Sequence, residues 1–124
     1  MDVSDSQFND NLATGNSNGG TFGLYAANTS SGVLTIRATQ SQFNGNTASG
    51  TDNGGGYAFV ADNSFGSGPL TVTSLCGSTF ADNSTYGLYA YGNTTTNTIV
   101  NLSGTSFYGN PTNVGSMGNV TFTP

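Results

Sequence analysis

The chain has 124 residues and a net charge of −5, with six aspartates against one basic side chain, Arg37, and no Glu, Lys, His or Trp. Nothing in it can neutralise a run of phosphates or seek an anionic bilayer surface, which argues against nucleic acid and anionic membrane surfaces as partners. With no histidine and one cysteine, zinc sites, Cys-His or Ser-His-Asp catalysis and an intrachain disulfide are excluded on inventory, and no run of about 20 apolar residues is present to span a membrane.

In chain order, Val3 precedes the phrase Ser6-Gln7-Phe8-Asn9-Asp10-Asn11, and a Gly-rich stretch leads to the apolar run Gly23-Leu24-Tyr25-Ala26. The order then repeats. Leu34-Thr35-Ile36 and Ala38 lead into Ser41-Gln42-Phe43-Asn44-Gly45-Asn46. The connection 47–56 follows, then Tyr57-Ala58-Phe59-Val60-Ala61. A third copy holds Leu70-Thr71-Val72, Leu75, Ser78-Thr79-Phe80-Ala81-Asp82-Asn83 and Gly87-Leu88-Tyr89-Ala90. The fourth holds Ile99-Val100, Leu102 and Thr105-Ser106-Phe107-Tyr108-Gly109-Asn110. Short runs rich in Val, Ile, Thr, Tyr and Phe, bounded by Gly, Asn, Asp and Ser, read as strands. Gly and Asn interrupt every window long enough for a helix.

The four phenylalanines stand 35, 37 and 27 residues apart. A repeat of that length, too small to bury its own apolar face, means stacked coils sharing one core. The sequence therefore predicts an all-β, right-handed parallel β-helix of about four coils with three short strands each. It forms one domain over 1–124, with coils at roughly 1–32, 33–69, 70–97 and 98–124. Stacking at about 4.8 Å turns aligned positions into ladders. Phe8, Phe43, Phe80 and Phe107 are expected inside. Asn11, Asn46, Asn83 and Asn110 are expected at the following turn, in left-handed backbone and with amides bonded from coil to coil. Ser6, Ser41, Ser78 and Thr105 point inward and need hydroxyl partners. The 47–56 stretch is expected to project as a loop.

Cys76 reads as a small buried hydrophobe beside a bulge, because its copy is one residue longer than the others. Tyr25, Val60 and Tyr89 align as outward neighbours of inward Leu24, Phe59 and Leu88, with Tyr91 and Tyr86 close by. These tyrosines are the candidate ligand- or partner-binding face, able to stack sugar rings or meet another protein. The plainer reading is an aromatic ladder that only stabilises the sheet.

Asp10 and Asp82 share a column two coils apart, about 10 Å, near the separation at which paired carboxylates hydrolyse a glycoside. Gly45 lies between them, Arg37 is the only candidate base of a lyase, and both aspartates read more simply as turn residues. No spaced oxygen ligands of a calcium loop are present, and no metal or cofactor is expected. The Thr pairs at 71/73 and 121/123 do not recur at one column, so no regular ice-binding face is expected. The Asn-x-Ser/Thr sequons follow from composition alone.

The Phe-x-x-Asn phrases, with Gly19-Gly20-Thr21-Phe22 and Gly54-Gly55-Gly56-Tyr57-Ala58 ahead of apolar strands, resemble the repeats of bacterial polymorphic outer-membrane proteins and related autotransporter passengers. That resemblance implies a right-handed parallel β-helix and adhesion at the bacterial cell surface. The chain opens and closes within repeats, with no amphipathic cap over its strand edges. The expectation is a non-catalytic, extracellular structural or adhesive protein. Its partners would be further copies of itself, stacked head to tail into filaments, or a host or cell-surface protein or glycan. The alternatives are a carbohydrate-binding module that uses the tyrosine face, and a fragment of a polysaccharide-degrading enzyme.

Overall fold

A computed structural model describes residues 1–14, 21–49, 56–93 and 96–124. The described elements are all strands, and every ladder between them is parallel. β1 (Asp2–Ser4), β4 (Leu34–Thr39), β8 (Leu70–Ser74), β11 (Thr98–Asn101) and β14 (Val120–Thr123) form a five-stranded sheet in that order. β5 (Gln42–Asn44), β9 (Thr79–Ala81) and β12 (Ser106–Tyr108) form a three-stranded sheet through the repeated phrase. β2 (Leu12–Ala13) pairs with β6 (Thr47–Ala48). β3 (Thr21–Ala27), β7 (Gly56–Asp62), β10 (Tyr86–Tyr91) and β13 (Thr112–Met117) complete a four-stranded sheet. In each sheet the strands stand in chain order, so the chain passes from sheet to sheet and returns one level further on, an arrangement consistent with a parallel β-helix.

The register places like on like, and the core follows from it. Ile36 pairs with Val72 and Val72 with Val100. Leu24, Phe59, Leu88 and Val114 form a second column. The phenylalanines form a third: Phe8–Phe43, Phe43–Phe80 and Phe80–Phe107 stack with ring centroids 5.0, 4.7 and 5.1 Å apart. Ile36, Phe43, Phe59, Val72, Phe80, Leu88 and Val100 are fully buried. Each such side chain is worth on the order of 1.5–3 kcal/mol in apolar burial. Parallel stacking at strand spacing brings each ring within contact of its counterpart, which is why one residue type recurs in the column.

Polar columns close the corners. The amide of Asn11 donates to Oδ1 of Asn46 at 2.7 Å, Asn46 to Asn83 at 2.8 Å and Asn83 to Asn110 at 2.8 Å. Each amide of the last three also donates to the carbonyl of the Phe one level back: Phe8, Phe43 and Phe80. The Ser column is satisfied as well. Ser41 Oγ donates to Thr39 O and Ser78 Oγ to Ala38 O, and the Ser78 hydroxyl also accepts from Ser41 N–H.

Four expectations need correcting. The left-handed backbone falls one residue before each Asn, at Asp10, Gly45, Asp82 and Gly109, with φ of 56, 66, 55 and 68°. The Asn side chain is needed for the ladder, so the strained backbone passes to a neighbour: Gly at no cost, or Asp, which tolerates it. A matching set, Asp5, Gln40, Gly77 and Gly104, turns left-handed just before the Ser column. The bulge lies at Thr73, because Ile36 pairs with Val72 but Arg37 with Ser74, and Thr73 Oγ1 donates to Ile36 O. Cys76 is exposed. Leu75 takes the buried position just before it, which leaves the thiol in the turn that leads into Gly77. Finally, Thr47-Ala48 is paired as β6, not looped; 50–55, like Gly19-Gly20, lies outside the described residues.

Candidate functional site

The outer face of the four-stranded sheet carries the aromatic side chains that the core does not use. Strict alternation along a strand is broken here. Tyr57 faces out, Ala58 is buried, and Phe59 faces in and is fully buried. The register skips the Gly23/Ala58/Gly87 position, pairing Phe22 with Tyr57 with Tyr86 and then Leu24 with Phe59 with Leu88. This position is a corner, and it is crowded: a Cβ on Gly23 would stand 2.6 Å from Ala58 O. Three outward columns result, Phe22/Tyr57/Tyr86, Tyr25/Val60/Tyr89 and Ala27/Asp62/Tyr91.

Rings from these columns pack on one another. Phe22 stacks on Tyr57 at 5.6 Å and Tyr57 on Tyr86 at 5.3 Å. Tyr89 meets Tyr57 and Tyr86 edge-on and tilts against Tyr91 at 4.7 Å. The ladder reading and the exposed-face reading therefore describe two halves of one surface. Toward the β10 side the rings pack on each other. Toward β3 they open around a cleft of about 360 Å³, lined by Phe22, Tyr25, Tyr57, Val60 and Tyr91 together with Asp62, Ser64 and Phe65.

Of the residues marked in the sequence, Tyr25, Val60 and Tyr91 meet in this cleft, and Tyr89 stands behind it. Val60 is not an exposed member of the face. It is 1 % exposed, although it lies outside the main core cluster. A short aliphatic side chain among tall rings is covered by them and lines the cleft. Tyr25 and Phe65 remain 47 % and 75 % exposed.

The sequence reading passed over the residue that gives the cleft its chemistry. Asp62 is 6 % exposed. Its Oδ2 accepts from the Tyr25 hydroxyl. Its Oδ1 accepts from Ser64 N–H at 2.8 Å and Ser64 Oγ at 2.6 Å. The bond to Asp62 first, and burial second, push the Tyr25 phenol up to about 12. Burial and then the Asp62 charge raise Tyr91, and burial raises Tyr57 and Tyr89. The sequence carries little signal for it: Asp62 closes the apolar run Tyr-Ala-Phe-Val-Ala-Asp, but its flanking Ala and Asn are those of Asp82 as well.

Arg37 lies elsewhere, on the five-stranded sheet. It lines a second cleft with Thr39, Gln40, Ser74, Cys76 and Gly77, where no carboxylate contributes. Asp10 and Asp82 occupy the left-handed corner column, with Gly45 between them. Among the described residues no group of three or more His, Cys, Asp or Glu side chains is placed to hold a metal ion. Compared with protein-family models, curated proteins and solved structures, the chain matches none.

Proposed function

We propose that this chain is a right-handed parallel β-helix of four coils that serves as a non-catalytic adhesive scaffold outside the cell, on a bacterial surface. Its recognition face is the outer side of the β3–β7–β10–β13 sheet. The observation that carries this reading is the aromatic cleft. Five rings surround a polar floor on the outer face of the sheet, outside the main core cluster. Exposed Tyr and Phe supply large contact area at low entropic cost, which suits partner recognition. The likeness of the four Phe-x-x-Asn phrases to passenger repeats supports the surface location. The absence of His from the chain and the placing of Arg37 in a cleft other than that of Asp62 support a role without chemistry.

A retention assay tests the reading. The protein is immobilised and challenged with eukaryotic cells and with bacterial cells, alongside a Tyr25→Ser/Tyr91→Ser variant. Retention of cells that falls at least ten-fold in the variant, with an unchanged far-ultraviolet β signal, is the expected result. Equal retention by both proteins removes the face from the function. A carbohydrate-binding module is the second reading, favoured by the exposed ring of Tyr25. Retention abolished by glycosidase treatment of the cells would select it.

A further inference from the structure

Asp62 is a buried carboxylate in a chain whose only basic side chain lines a different cleft. Burying a charge is costly unless it is paired, and here three hydrogen bonds hold the anion but no cation neutralises it. Five aromatic rings line the same cleft, and aromatic rings attract positive charge through the negative faces of their π systems. We propose that the cleft of Phe22, Tyr25, Tyr57, Phe65, Tyr91 and Asp62 binds a methylated, quaternary ammonium group, such as the head of choline. This assignment rests on the recognition face proposed above and names its ligand class.

Hydrogen-bond accounting selects quaternary over primary ammonium. An ionised carboxylate offers about four lone-pair sites. Tyr25 and Ser64 already fill three. A primary ammonium would bring three N–H donors to a place where one acceptor site remains, and most of its lost hydration would go unreplaced. A trimethylammonium group has no donors to satisfy. It asks only for a nearby negative charge and several aromatic faces, both of which the cleft supplies. A neutral sugar would satisfy the free lone pair but would leave the charge unmatched. At about 360 Å³ the cleft lies at the small end of the ligand-pocket range of roughly 300–1,000 Å³, which is ample for a head group.

The test uses the whole chain, with choline chloride titrated against ring-proton shifts and tyrosine fluorescence; no Trp obscures the signal. Choline is expected to saturate both signals. Its neutral isostere 3,3-dimethylbutan-1-ol and n-butylammonium are each expected to bind at least ten-fold more weakly. Asp62→Asn, which leaves an oxygen for Ser64, is expected to weaken choline at least ten-fold. Phe65→Ala alters a side chain that is 75 % exposed, so it preserves the fold whatever the fate of the Asp62 variant. It is expected to weaken choline several-fold. Phosphocholine separates the sources: binding as tight as choline assigns a lipid or glycan head group, and weaker binding assigns a cation without phosphate. Equal binding of the neutral isostere, or of n-butylammonium, overturns the proposal. No choline binding, with cell retention still lost in the Tyr25/Tyr91 variant, sinks the ligand class and leaves the recognition face standing. No choline binding with retention unchanged sinks both.

Discussion

Asn83 shows how much one side chain does in this fold. It is 1 % exposed; its amide donates to Phe43 O and Asn110 Oδ1, and its Oδ1 accepts from the N–H and amide of Asn46. Asn83→Ala removes four hydrogen bonds and takes from Phe43 O and the Asn46 N–H their Asn83 partner, at about 1–3 kcal/mol for each group that water cannot reach. A loss of at least about 3 kcal/mol is expected in urea unfolding, and a loss below 1 kcal/mol would show that the ladder is ornamental. The left-handed column allows a sign test. Asp82→Gly is expected to change stability by less than about 1 kcal/mol, because glycine accepts that backbone freely. Gly45→Asp is expected to destabilise by more than that, because a Cβ there would land on the Asp10 carboxylate. At this scale the sequence showed which residues form columns but misplaced the strained one. Asn is the usual left-handed residue in turns, and nothing in the phrase reveals that its amide is already engaged. Asp62 escaped notice for a related reason. A lone acid at a strand end looks like a turn residue until the register lays it beside Tyr25 and Tyr91.

Among elements, β7 is the most informative. The short apolar runs were enough to read it, along with β3, β4, β8, β10 and β11, whereas β13 (Thr112–Met117) carries no such run and went unread. The phase of β7 depends on the corner at Ala58. Period-two reasoning carried across a corner inverts every residue beyond it, whereas the register fixes Phe59 inside and Val60 beneath the rings. The two-residue β2 and β6 have no pattern long enough to read. The outer face that β3, β7 and β10 build makes a prediction about alkali. Tyr25 titrates at about 12 in the fold, against about 10 for a free tyrosine, and Tyr57, Tyr89 and Tyr91 are raised in the same direction. A raised phenol favours folding in its neutral form. That contribution is complete below pH 10 and is lost as pH climbs from 10 through about 12. Melting temperature is therefore expected to be flat to pH 9.5 and to fall steeply by pH 11.5. The fall should be shallower in Tyr25→Phe. Asp62→Asn should bring the Tyr25 titration, followed by absorbance near 295 nm, back toward 10.

Across the molecule, ladder bonds join only neighbouring levels, so the three larger sheets have interior strands bonded on both sides and edge strands bonded on one. Amide exchange is expected to be slowest in β7, β8 and β10 and fastest in β1, β14 and β13. A uniform exchange rate across a sheet would contradict a structure held level by level. The stacked architecture was legible because identical residues must meet their own kind at each return, and repetition is visible without coordinates. The cleft was not, because it joins Phe22, Asp62 and Phe65, which occupy different columns and follow no shared spacing. The left-handed column also bears on inheritance. Tandem copying of a single Asp-bearing level would seat aspartate directly over aspartate, two like charges in a space that one carboxylate already fills. Copying two adjacent levels together keeps acid beside glycine at every junction. An Asp-bearing level is therefore duplicated only together with a Gly-bearing neighbour, whereas a Gly-bearing level can be copied alone.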